Sequence, residues 1–145
     1  MTVYKAADMP KWAMKFEKIT TAIIQQATND MLNDVKIVPG ITRGGSRKKG
    51  TIPRDLGALA GSQQSTLYGS TALTAVGEQS HLLVITQMKV GVMARFSWGG
   101  NAAPYAEAIH YGSGNTAGTF WIDVMANGWR RYVRVATNKA KAAIR

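Results

Sequence analysis

Apolar residues recur at Trp12, Phe16, Ile19, Ile23, Ala27, Met31 and Val35. These steps of three and four place them on one face of a helix running from about Met9 to Val35. Pro10 can sit in the first turn, where its missing N–H costs nothing. Pro39-Gly40 cannot continue the helix and sets its end. From Lys36 to Gly61 the periodicity disappears and Gly40, Gly44, Gly45, Gly50, Gly57 and Gly61 follow one another. This stretch reads as an extended loop, long enough to serve a function or to stay unordered in the free chain.

Beyond it the period shortens. Ser62 to Tyr68 is a candidate strand, and Gly69 to Gly77, with its Ser and Thr residues, reads as a turn or loop. His81 to Met88 and Val90 to Trp98 are rich in β-branched and aromatic residues, as two strands or one bent ribbon closed by Gly99-Gly100. In the second of these, Val90, Val92, Ala94 and Phe96 alternate with Gly91, Met93, Arg95 and Ser97, which predicts one buried face. Ala103 to Tyr111 fits a short helical turn or a strand. Thr119 is placed to cap a last helix to about Ala143, carrying Phe120, Trp121, Val124, Met125, Trp129, Tyr132, Val133 and Ala136. The order helix, loop, strands, helix predicts an α+β fold: a long N-terminal helix, a small antiparallel sheet and a C-terminal helix packed on it.

Length and composition fit that picture with one domain over residues 1–145, since 46% hydrophobic residues suffice for a core without disulfides or metals. The chain has no cysteine, which removes thiol catalysis and Cys-type zinc sites and fits a reducing compartment. Met1 to Pro10 is mixed, with Lys5 and Asp8, and does not read as a signal peptide. No stretch approaches the ~20 apolar residues of a membrane helix, so no membrane partner is expected.

Charge changes the picture more. The net charge is +10, and 12 of the 18 cations fall in two acid-free segments. One holds Lys36, Arg43, Arg47, Lys48, Lys49 and Arg54; the other holds Arg130, Arg131, Arg134, Lys139, Lys141 and Arg145. Such local fields imply an acidic partner, either nucleic acid or the acidic face of another protein.

Groups for chemistry are sparse. There are two histidines, His81 and His110, and neither has a second His or an Asp three or four residues away on a helix, so no metal site is expected. His81, at the head of an apolar strand, reads as a hydrogen-bonded structural residue. The eight acids, Asp8, Glu17, Asp30, Asp34, Asp55, Glu78, Glu107 and Asp123, form no close pair suited to acid–base work. Asp30 and Asp34, four apart on the first helix, read as a solvated face. Gly44 to Gly50 lacks the spacing and preceding strand of a phosphate loop. No enzyme activity and no cofactor are expected.

Two segments carry a larger pattern. Pro53-Arg54-Asp55-Leu56-Gly57-Ala58-Leu59-Ala60-Gly61-Ser62 reads Pro-x-Asp-x-Gly-x-Leu-x-x-Ser. Pro104-Tyr105-Ala106-Glu107-Ala108-Ile109-His110-Tyr111-Gly112-Ser113 follows, and then Gly118-Thr119-Phe120. In order and spacing, over residues 12–143, these resemble the tail-component family of long-tailed bacteriophages. His110 stands where that family carries an acid in its Tyr-Ala-x-x-x-Glu-x-Gly pattern. The resemblance implies a structural virion protein, a tail-completion or neck subunit at the head–tail joint, assembled in the host cytoplasm. Its implied partners are copies of itself in a ring, six being the expectation, the adjacent connector or stopper, and tail-terminator or tail-tube proteins. Genomic DNA in the channel is a further contact. A tail terminator capping the tube, or a basic nucleic-acid-binding module, is the alternative.

On this reading the docking residues are Arg43, Arg47, Lys48, Lys49, Arg54, Asp55, Tyr105, Tyr111, Trp121, Arg130, Arg131 and Arg134. Asp55 also fits a plain turn, its carboxylate accepting from local backbone N–H groups. Tyr105, Tyr111 and Trp121 suit either a core or an exposed interface patch.

Overall fold

The computed structural model describes residues 9–35, 49–52, 58–68, 73–89, 91–114 and 116–144. Helix α1 (Met9–Asp34) follows the predicted apolar stripe, and its 26 residues span about 39 Å at 1.5 Å per residue. Its buried side chains, Ala27, Thr28 and Leu32, lie in its C-terminal half, whereas Met14 and Phe16 are exposed. The N-terminal end therefore extends past the core. A four-residue turn, α2 (Ala58–Gly61), closes the part of the glycine-rich segment that is described.

The main sheet holds β1 (Gln64–Tyr68), β2 (Leu73–Val76) and β3 (Met93–Ser97), antiparallel and ordered β2-β1-β3. Leu67 lies between Leu73 and Ala94, and Ser65 between Ala75 and Phe96, which puts all six on one face. α1 and α3 (His81–Ile85) cover that face: Leu67, Val84 and Met88 form a cluster with Ile24, Leu73 and Phe96 packed on it. The opposite face, with Thr74, Val76, Met93 and Arg95, is open to solvent, as one-sided antiparallel sheets allow.

A 3-10 turn (Gly100–Ala102) leads to α4 (Ala106–Tyr111), then to a minimal hairpin of β4 (Gly112–Ser113) and β5 (Thr116–Ala117). Helices α5 (Trp121–Asn127) and α6 (Trp129–Ile144) complete the chain. A second cluster of Leu32, Val35, Ile52, Leu59, Ala60, Ala103, Trp121 and Met125 joins α1 to α2, α4 and α5, and Phe96 touches both clusters. α6 packs along α1. The Tyr132 hydroxyl at its start donates to Asp34 Oδ2 at the end of α1 (2.6 Å), so the two helices run antiparallel.

Three expectations from the sequence are corrected. His81 to Met88 is not a strand: His81, Val84 and Met88 are buried while Leu82, Leu83 and Gln87 are exposed, the i, i+3, i+7 rhythm of a helix. The Gly69 to Gly77 segment contains a strand, β2, whose Leu73 and Ala75 turn inward while Thr74 and Val76 turn out. The last helix is two helices, and Thr119 does not cap it. Thr119 N–H and Phe120 N–H instead donate to Ile109 O and His110 O (both 3.0 Å), which ties these residues to the end of α4. Phe120 then turns the chain in the left-handed region (φ 50°) and α5 starts at Trp121. The break between α5 and α6 falls at Gly128, where an added Cβ would lie 3.1 Å from the Tyr132 ring.

Candidate docking surfaces

Arg43, Arg47, Lys48, Arg54 and Asp55 lie outside the described residues, as does most of the glycine-rich basic loop. Lys49 is described and exposed, and the chain beside it is pinned: Gly50 N–H donates to Thr119 O (2.6 Å) and Ile52 N–H to Val35 O (2.8 Å). Of the Pro-x-Asp-x-Gly-x-Leu-x-x-Ser pattern, Leu59 and Ser62 lie among the described residues. Leu59 is core, while Ser62 Oγ donates to Leu59 O (2.6 Å) and accepts from Gly99 N–H (2.9 Å). The second segment of the pattern converges on the same place, since Ala106 and Ile109 pack against the cluster that holds Leu59 and Ala60. Two segments more than 40 residues apart thus meet in one cluster.

The three candidate aromatics separate. Trp121 is 1% exposed and meets Trp98 edge to face at 6.3 Å, so it belongs to the core and is withdrawn as a docking residue. Tyr105 and Tyr111, at 45% and 62%, are the outward members. Tyr111 stands against His110 (centroids 4.5 Å) and Phe120 (6.1 Å), which fixes its ring against the subdomain formed by α4 and the hairpin. An exposed, supported aromatic ring suits a contact surface because little rotamer freedom remains to be lost on binding.

His110 is itself buried, boxed edge-on by Tyr111, Phe120 and Trp121 (4.9 Å). Its Nε2 makes no hydrogen bond among the described residues and sits 4.0 Å from Asp123 Oδ1. The position that carries an acid in the resembled pattern therefore serves here as an aromatic spacer beneath α5.

A buried polar network was not legible in the sequence. Gln63 Nε2 reaches Ser65 Oγ (3.2 Å), Ser80 Oγ (3.4 Å) and His81 Nδ1 (3.3 Å), three acceptors for two N–H groups. Ser80 Oγ donates to Gln63 O (3.2 Å) and takes a bond from Ser65 Oγ (2.8 Å). Gln63, Ser65 and His81 are 0% exposed, so this serine–histidine grouping is closed to any substrate and instead locks β1 to α3. The reading of His81 as a hydrogen-bonded structural residue agrees with this, on a helix and not a strand.

Arg130, Arg131 and Arg134 are exposed on α6. The Arg131 guanidinium lies over the Tyr132 ring, 4.9 Å from its centroid. Partial burial raises the Tyr132 hydroxyl above its usual pKa of 10.0; the hydrogen bond and charge of Asp34 add to this, while Arg131 opposes it. Asp34 is exposed, as the sequence reading has it, and also tethers α1 to α6 through a residue 98 positions on. Between α1, β3 and the α5–α6 elbow runs an apolar cleft of about 470 Å³, lined by Ile24, Met31, Met88, Phe96, Met125 and Trp129 among others. Among the described residues no three His, Cys, Asp or Glu side chains gather to hold a metal ion, and no helix is long and apolar enough to cross a membrane. Compared with protein-family models, curated proteins and solved structures, the chain matches none.

Proposed function

We propose that the chain is a structural virion protein of a long-tailed bacteriophage, a tail-completion or neck subunit that forms a ring at the head–tail joint. The observation that carries the reading is the way the resembled motif is used. Its Leu59, Ser62, Ala106, Ile109 and Gly118 are all engaged in packing or backbone contacts, and its tyrosines, Tyr105 and Tyr111, face outward. A motif spent on holding one shape and presenting aromatic rings serves assembly, not turnover. Ring closure needs a heterologous contact, one face of a subunit against a different face of the next. The exposed apolar end of α1, with Met14 and Phe16, and the apolar cleft at the α5–α6 elbow are two such unlike surfaces.

The test is localisation in the particle. Tagged protein should give a ring of density between portal and tail tube in electron micrographs, and particles lacking it should accumulate as filled heads and separate tails. Heads and tails that join normally without it would overturn the proposal. A second reading, nucleic-acid contact, is favoured by the basic face of α6.

A further inference from the structure

The exposed surface of α6 is a cationic strip with a defined geometry. Helix positions advance about 100° per residue, so Arg130, Arg134 and Lys141 fall within about 40° of one another around the axis. They are spread over about 16 Å along it at 1.5 Å per residue. All three are exposed, and the segment Trp129–Ile144 contains no acid. Arg131, about 60° further round the axis than Arg134, flanks the strip on one side, while Lys139 falls on nearly the opposite side of the helix. The face that packs inward is a different one, marked by Ala136 at 2% exposure. Among the described residues no carboxylate forms an ion pair with these cations; the nearest helix-end acid, Asp34, is engaged by Tyr132.

We infer that this face of α6 binds the phosphate backbone of duplex DNA, without reading sequence. The inference stands on the strip alone and does not require the ring. Duplex DNA presents one phosphate per about 3.4 Å of axis on each strand, so a row about 16 Å long passes enough phosphates for each of its three cations to meet one. A protein partner is the poorer fit. Between Arg130, Arg134 and Lys141 the strip carries only small or polar side chains, with no aromatic or large aliphatic anchor. Arg130 and Arg134 have the paired donors that base edges also accept, and Asn138 lies beside Arg134, so the comparison of two unrelated duplexes is what separates backbone binding from sequence reading.

The experiment measures binding of the full chain to a 30-base-pair duplex of arbitrary sequence across a salt series, for wild type and for the variant R130S/R134S/K141S. A second variant, R47S/K48S/K49S, serves as comparison. Circular dichroism checks that each variant keeps its fold. Each phosphate contact adds about 0.9 to the slope of log affinity against log salt. Loss of three contacts should therefore flatten the slope by about 2.7. Between 50 and 200 mM salt the α6 variant should then lose about 40-fold less affinity than wild type. Two duplexes of unrelated sequence should bind equally.

A folded α6 variant with unchanged slope would overturn the inference, as would a slope change confined to the loop variant. An α6 variant that binds DNA like wild type but fails to join heads to tails would assign the strip to a protein partner instead. If the protein proves absent from the virion neck while the α6 slope change is found, the ring reading fails and this one stands.

Discussion

Replacing Gly118 with alanine tests the seat on which the second half of the molecule rests. An added Cβ would fall against His110 O, the Tyr111 carbonyl carbon and Gly112 N, all backbone atoms, so no side-chain rotation relieves the clash. Segment 118–120 would have to withdraw from α4. That movement breaks the bonds from Thr119 N–H to Ile109 O and from Phe120 N–H to His110 O. Each buried N–H left unpaired costs about 1–3 kcal/mol. Trp121, the next residue and the largest fully buried side chain, would be pulled from the core as well. A loss of about 3–5 kcal/mol is expected, a large share of the 5–15 kcal/mol typical of a domain. At roughly 2–4 °C per kcal/mol for a chain of this size, Tm should fall by about 10 °C. Gly61→Ala is the matched control. Gly61 has open space around its Cβ position and no left-handed φ. Reduced freedom of the unfolded chain should raise stability there by about 0.4–1 kcal/mol. Thermal unfolding followed by circular dichroism reads both. A Gly118→Ala protein melting within about 2 °C of wild type would refute the reasoning, because backbone atoms would then have yielded without losing their bonds.

Trp121→Ala should cost about 3–5 kcal/mol in denaturant unfolding, as expected for a buried aromatic. Tyr111→Ala should change stability by less than about 1 kcal/mol and instead reduce assembly in sedimentation; equal stability losses would contradict the division into core and rim. Tyr132→Phe should lose about 1 kcal/mol, the low end for a hydrogen bond to a carboxylate because Asp34 is exposed. Since the folded pKa of Tyr132 is raised above 10.0, this contribution is complete below pH 10 and lost as pH rises through the folded value. The difference in Tm between wild type and Tyr132→Phe should therefore hold from pH 7 to 9.5 and vanish as the folded hydroxyl ionises in stronger alkali; a gap that persists after absorbance shows the Tyr132 phenol ionised would refute the tether.

The sequence by itself determined α1, β3 with its inner Ala94 and Phe96, the α+β order and the basic character of the last helix. In each case the signal is local: a 3.6 or 2.0 period written in consecutive residues, or a run of one charge. Where the local signal was ambiguous, tertiary packing decided. His81 to Ile85 is a short apolar run whose composition suits a strand, and it becomes a helix because His81, Val84 and Met88 can then face β1 and the polar network of Gln63 and Ser80 together. Thr119 has the chemistry of a cap, yet its N–H is drawn to Ile109 O, across a contact that no window of sequence contains. Trp121 and Tyr111 are large aromatics ten residues apart, and only the three-dimensional neighbours put one at 1% exposure and the other at 62%. Asp34 is exposed, as its place on α1 implies, and only the tertiary structure adds its partner 98 residues away. Periodicity reports which face of an element is apolar. What that face meets depends on non-local pairing, and that pairing fixed which residues hold the fold and which remain at the surface.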